Sequence, residues 1–294
     1  MRPVPLLPLA FLLLSNAEVP APVRAMLDAA YESGNDRDIA TLVKYARAAA
    51  PQASDEIAKE AEEWRAKRRR AEQETLATAS IFDLWKGRVE VGGFISEGNS
   101  DLKGLTAIVD LQREGLRWRH KFRLQADYQE SADITTRERY LFSYEPNYKI
   151  DDGAYIYGAA LAESDRFLGY DSRFSLSAGA GYGVIREPTV TLNVDLGPAF
   201  RETAFTDDRM ESSLAARGSV DLDWRLTPAI TLRNDGSAYL QRFNSTVSNT
   251  TALNAKLFGP LSAQLSYAVQ YESMPPEGRR NTDTTSRASL VYSF

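Results

Sequence analysis

Few residues in this chain could carry chemistry. Of 294 residues, one is a histidine and none is a cysteine. Thiol nucleophiles, thiolate metal sites, disulfides and a lipid-bearing N-terminal cysteine are therefore excluded. His120 would have to be the base of any hydrolase or acyltransferase acting on membrane lipid, and that chemistry needs a serine within hydrogen-bond reach. Around it the chain reads Trp118-Arg119-His120-Lys121-Phe122-Arg123-Leu124, without a serine. His120 also shares the alternation phase of Trp118 and Phe122, so it reads as a side chain on an outward, interfacial face. Asp165 and Asp171 read as loop hydrogen-bonders. No catalytic residue, metal ligand or cofactor is expected.

The chemistry that remains is electrostatic. Charges recur at every second position in otherwise apolar runs, as Arg119, Lys121 and Arg123 do between Trp118, Phe122 and Leu124. On the same reading Glu90, Asp110, Asp195, Arg217, Asp221, Asp223, Arg225, Arg233, Asp235, Glu272 and Arg287 face one side of their segments. A strand places alternate residues on opposite faces, so these charges would line the inside of a closed sheet. Arginines opposite carboxylates create a transverse field that selects among solutes in a water-filled channel. The same groups could instead pair into layers that fill the barrel, because unpaired charges in a closed interior are costly.

The elements that would position these charges follow from periodicity. From Trp85 to Phe294 the hydrophobic period is two. In 213–226, Leu214, Ala216, Val220, Leu222, Trp224 and Leu226 alternate with Ser213, Arg217, Asp221, Asp223 and Arg225. The last run sets Ala288, Leu290, Tyr292 and Phe294 against Arg287, Ser289, Val291 and Ser293. Such runs begin near residues 87, 101, 117, 137, 153, 172, 189, 209, 229, 250, 261 and 284. The pattern predicts an all-β transmembrane barrel of about 12 antiparallel strands in up-and-down order, with lipid-facing and lumen-facing residues alternating. That strand count lies between filled barrels of about 8 strands and open ones of about 16.

Connections sort into tight turns, such as Glu114-Gly115-Leu116 and Phe258-Gly259-Pro260, and longer polar loops, such as Phe243–Asn249 and Met274–Thr282. Gly98-Asn99-Ser100 suits a hairpin turn. Trp118, Tyr155, Trp224, Phe258 and Phe294 stand near tight turns, while Tyr128, Tyr140, Phe167, Phe205, Phe243 and Tyr271 stand near the longer loops. Two aromatic girdles are expected from this distribution. Asn244-Ser245-Thr246 matches a glycosylation sequon, which a bacterial-type barrel loop would carry by coincidence.

Ahead of the barrel, Arg2 precedes an apolar run over residues 3–14, then Ser15-Asn16-Ala17. This predicts a secretory signal over 1–17, with cleavage after Ala17 or, second, Ala25. Residues 18–84 then form a small α-helical periplasmic segment. Gly34 closes its first helix, Asp36 caps the second, Pro51 stops it and Ser54 caps the third. The run Arg65 to Arg70 is a solvated helix face or a contact with the cell wall or an anionic envelope component. A formal net charge of −5 argues against nucleic acid as a partner.

Trp85-x-Gly87 leading to Gly92, then Gly98-Asn99-Ser100, resembles the opening of the YdiY-like family of salt-induced outer-membrane proteins. Glu163-Ser164-Asp165-Arg166-Phe167, Tyr170-Asp171-x-Arg173 and Gly179-x-Gly181-Tyr182 resemble its central segment. The resemblance covers about 85–294 and implies a bacterial outer-membrane barrel and a link to salt or osmotic stress, with no activity. The combined expectation is a narrow passive channel for ions or small polar solutes; the alternative is a non-conducting barrel that tethers the envelope. Expected partners are outer-membrane lipids and the barrel-assembly machinery, which would read Tyr292 and Phe294 on the closing strand.

Overall fold

The computed structural model describes residues 19–97, 102–131, 134–242, 244–275 and 280–294. The expected signal over 1–17, the Gly98-Asn99-Ser100 turn and Phe243 lie outside them. The chain divides into two compact units, Met1–Thr78 and Ala79–Phe294.

The first unit is three helices, α1 (Ala21–Ser33), α2 (Asp36–Ala49) and α3 (Ser54–Thr78). Their apolar faces converge on Leu27, Ala30, Ile39, Val43, Ile57 and Ala61. Tyr31 stacks on Trp64 at 5.5 Å, and Arg68 covers the other part of that indole at 5.2 Å. Gly34 closes α1 in the left-handed region, φ 66°. Two expected caps are corrected. Asn35 rather than Asp36 caps α2, accepting from Arg37 N, because Asp36 is already in helical geometry. Ser54 is helical too, and its hydroxyl accepts from Arg47 Nε at 2.9 Å. In the basic run Arg68 bonds Asp36 and the Gly34 carbonyl, while Lys67, Arg69 and Arg70 are exposed.

The second unit is a closed antiparallel barrel in which each strand pairs with its sequence neighbours. Its strands are β1 (Trp85–Glu97), β2 (Leu102–Glu114), β3 (Trp118–Ser131), β4 (Ile134–Lys149), β5 (Ala154–Asp165) and β6 (Tyr170–Arg186). They continue as β7 (Val190–Phe205), β8 (Met210–Arg225), β9 (Ile230–Gln241), β10 (Thr246–Phe258), β11 (Leu261–Glu272) and β12 (Thr282–Ser293). β1 meets β12 from Arg88↔Ser293 to Glu97↔Thr284, and Gly87 and Phe294 exchange both backbone hydrogen bonds, at 2.8 and 2.9 Å. The end where Trp85 and Phe294 meet is called the terminal end, and the opposite one the far end.

The strands run longer than expected at the far end. β10 begins at Thr246 rather than near residue 250, and β4 at Ile134 rather than near 137. The connections 166–169, 206–209 and 242–245 are then as tight as 150–153 and 226–229, and 273–281 remains long. Ladder pairing satisfies backbone groups whatever the side chains, so polar segments such as Arg137↔Gln129 continue the sheet where hydrophobic alternation has faded. The Asn244-Ser245-Thr246 stretch belongs to this tight far-end structure: Asn244 Oδ1 accepts from Met274 N, and Thr246 is buried. At a terminal-end turn, Asp151 accepts from the N–H groups of Gly153 and Ala154 at 2.6 and 2.7 Å. These two donors hold its carboxyl below the usual range.

Side-chain burial is inverted relative to a water-soluble fold. Leu105, Leu196, Leu214, Leu240, Leu265 and Leu290 are exposed, whereas Glu90, Asp127, Gln129, Arg173 and Arg201 are buried. Apolar patches this extensive are not left facing water, and in a bilayer they face lipid. Among the described residues, no helix is long and apolar enough to cross a membrane.

Candidate functional site: the barrel interior

Alternation sends one face of every strand inward, and on β1–β3 that face carries Arg88, Lys121 and Arg123 together with Glu90, Asp110 and Asp127. Arg88 and Arg123 both hold Asp110, at 2.7 and 2.6 Å. Lys121 extends from β3 to Asp221 on β8 at 3.2 Å and also meets Glu145 at 3.5 Å. The opposed face on β7–β9 carries Asp195, Asp221, Asp223 and Asp235, with Arg233 held by Asp223 at 2.8 Å. Arg217 on β8 crosses to Glu145 on β4 at 2.9 Å. These groups surround a cavity of about 710 Å³ whose lining runs from Lys86, Ser293 and Phe294 at the terminal end past Arg201 and Thr246 to Arg137, Gln270 and Asp283 toward the far end.

Beside this cavity, toward the far end, part of the interior is packed. Arg173 on β6 spans to Glu272 at the end of β11 at 3.0 Å, with both side chains nearly inaccessible at 2% and 6%. Arg139 pairs with Glu163 at 3.0 Å. Arg287 meets Asp127 at 3.4 Å, and Thr106 donates to Asp127 at 2.5 Å. Aromatic rings separate the arginines: Tyr170 lies 4.0 Å from Arg173, Tyr239 4.0 Å from Arg201 and Tyr157 4.9 Å from Arg217. The lumen thus holds a charge-lined cavity and, toward the far end, ion pairs that cross beside it.

The charges singled out by alternation are distributed as follows. Asp110, Lys121, Arg123, Asp195, Arg217, Asp221, Asp223, Arg233, Asp235 and Arg287 border the cavity. Glu90 is held in the wall by Gln264 and Ser289, at 2.7 Å each. Arg119 pairs with Glu114 at 2.8 Å near the terminal end, where Lys149 also meets Glu114. Arg225 is exposed at the end of β8, and Glu272 sits in the packed layer. Tyr292 and Phe294 are half-exposed on the outer face, with rings 6.3 Å apart.

Tyr155 corrects the expected girdle. It is 3% exposed and points inward, donating to Asp195 at 2.6 Å, with its ring where a side chain on Gly181 would stand. Nearness to a turn suggested an interfacial position, but Tyr155 has the inward phase and Ile156 the outward one. His120 faces outward, its Nδ1 2.9 Å from the Tyr144 hydroxyl, beside Trp118 at 6.0 Å. Sequence reasoning did not place Arg139, Glu145, Glu163, Arg173 and Arg201 in the lumen, although Glu163 and Arg173 stand in the family-like central segment. Their phase matches the inward residues of their strands, but Leu141, Leu161 and Ala199 also point inward and blur the alternation. Arg113 was missed for another reason: it faces outward yet donates to the Ser80 and Asp83 carbonyls, fastening the segment before β1.

A solved outer-membrane porin shares this architecture. The NanC porin aligns with 70% of this chain and 100% of its own at 10% identity and TM-score 0.50. The translocator domain of the autotransporter NalP from Neisseria meningitidis covers 82% of this chain and 98% of its own, at 12% identity and TM-score 0.45. At these identities the likeness concerns the fold, a barrel of the outer-membrane type. By sequence, the "Uncharacterized protein YdiY" of Escherichia coli (strain K12) is 26% identical over 217 residues, which is 74% of this chain and 86% of that protein. The model of the family described as "Protein of unknown function, DUF481" matches residues 89–294. This chain belongs to the DUF481 family.

Proposed function

We propose that this protein works in the bacterial outer membrane as a narrow passive channel for ions or small polar solutes. The observation that carries the reading is the opposition of Arg88, Lys121 and Arg123 on β1–β3 to Asp195, Asp221, Asp223 and Asp235 on β7–β9 across the cavity. Opposed rows of charge create a field across the lumen, which orients dipolar solutes and retards apolar ones. The reading is non-enzymatic, since His120 is taken up by Tyr144. It includes export through an N-terminal signal, a periplasmic position for the helical unit and assembly through Tyr292 and Phe294. The helical unit would tether the barrel to the cell wall through Lys67, Arg69 and Arg70. A role in salt or osmotic stress rests on the family resemblance alone; a deletion strain growing normally at high osmolarity would remove it.

The test is single-channel conductance of the refolded full chain in a planar bilayer. Small discrete steps are expected, and Asp221→Asn with Asp223→Asn should shift ion selectivity toward anions. A folded barrel that never conducts would overturn the channel. It would favour the second reading, a sealed structural barrel, which the Arg173–Glu272 pair across the lumen supports.

A further inference from the structure

Arg201 is a buried cation with no carboxylate of its own. It is 2% exposed. Its Nε donates to Ser175 Oγ at 3.0 Å and its Nη1 to Thr246 Oγ1 at 2.8 Å, both neutral acceptors. Nη2 has no acceptor among the described residues, and the side chain borders the cavity. Two carboxylates, Glu163 and Glu272, act on it through space, but each is bonded to another arginine, Glu163 to Arg139 and Glu272 to Arg173. A charge removed from water with only a shared counter-charge gains from one of its own.

Arg217 adds positive charge nearby. It borders the cavity, is 8% exposed and spends Nη2 on Glu145. Its Nε and Nη1 are enclosed, so it contributes charge rather than donors to the cavity. Tyr239 brings the two together: it is the cross-strand neighbour of Arg217, and its ring lies 4.0 Å from the Arg201 guanidinium carbon. Guanidinium N–H groups in fixed fork geometry suit carboxylate or phosphate oxygens.

We propose that the Arg201 guanidinium, with the Tyr239 hydroxyl beside it, forms a binding site for a small oxyanion on the cavity wall. The ligand class is a carboxylate or phosphate group small enough to pass between the charged walls. The site does not depend on conduction, because an anion can enter from the terminal end and leave the same way.

The experiment is isothermal titration of the refolded full chain in detergent, at low chloride, with inorganic phosphate and separately with acetate. Saturable one-to-one binding of at least one anion is expected, weakening with added salt. Phosphate binding alone would indicate a phosphorylated ligand, and acetate binding alone a carboxylate. Arg201→Gln should weaken binding at least tenfold, while Arg201→Lys keeps the charge, loses the fork and should fall between. Arg209→Gln, in an exposed loop, is the control. Heat-modifiable mobility reports folding, and if Arg201→Gln does not fold, Arg201→Lys is decisive. No saturable binding of either anion to the folded wild type would overturn the site, as would wild-type affinity in the decisive folded variant. Binding without conductance would keep the site and sink the channel; conductance without binding would do the reverse.

Discussion

The Arg173–Glu272 pair gives the sharpest test of how the lumen is built. It joins β6 to β11 at 3.0 Å with both side chains almost inaccessible, and Glu272 also accepts from Thr246 at 3.2 Å. Replacing Glu272 alone by leucine strands the Arg173 charge in the packed layer. Breaking a buried pair in this way costs about 3–5 kcal/mol, which at about 1.4 kcal/mol per decade is roughly two to nearly four orders of magnitude in the folding equilibrium. Arg173→Leu alone should cost a similar amount by stranding Glu272. The double variant removes both desolvation penalties and is expected within about 1 kcal/mol of wild type, or more stable. The assay is reversible urea unfolding in lipid vesicles, followed by tryptophan fluorescence and closed as a double-mutant cycle. A coupling of about 3 kcal/mol or more is expected. Single variants within 1 kcal/mol of wild type, or additive losses, would refute the packed layer and leave these side chains solvated. In the channel reading, the double variant should also conduct more than wild type.

Three further outcomes follow from the barrel wall. Leu196 is 68% exposed near the middle of β7, so Leu196→Arg should destabilise the barrel in vesicles by about 2–4 kcal/mol; an effect under 1 kcal/mol would mean this face does not meet lipid. The Phe294 ring occupies the space where a Gly87 side chain would stand, while a side chain on Gly93 meets only ordinary contact. Gly87→Val should therefore reduce the heat-modifiable folded fraction during refolding and Gly93→Ala should not; equal yields would contradict the closure geometry. Asp151 has a carboxyl depressed by two backbone donors, so the contribution of its turn is present above the ordinary aspartate value and is lost as pH falls through the lower folded one. The Gly153 and Ala154 amide resonances should titrate together with a midpoint below about 3.9, and a midpoint at or above that value would remove the cap.

The sequence by itself determined the barrel. A period of two held from Trp85 to Phe294 leaves one apolar and one charged face, and the apolar face cannot be accommodated by an open sheet with both faces in water. It also marked charges such as Asp110, Lys121 and Arg123, because they interrupt otherwise apolar strands at a fixed phase. Only the tertiary structure decided which charge meets which. Lys121 and Asp221 lie on strands with four others between them in sequence order but face each other once the sheet closes, and nothing in local alternation encodes that meeting. The same closure brings Arg173, Arg201 and Tyr239 together from three different strands. Tyr155 illustrates the division: its aromatic character suggested an interface, while its phase on β5 and the space above Gly181 put it inside. Local pattern fixes the face a residue takes, and closure fixes its partner.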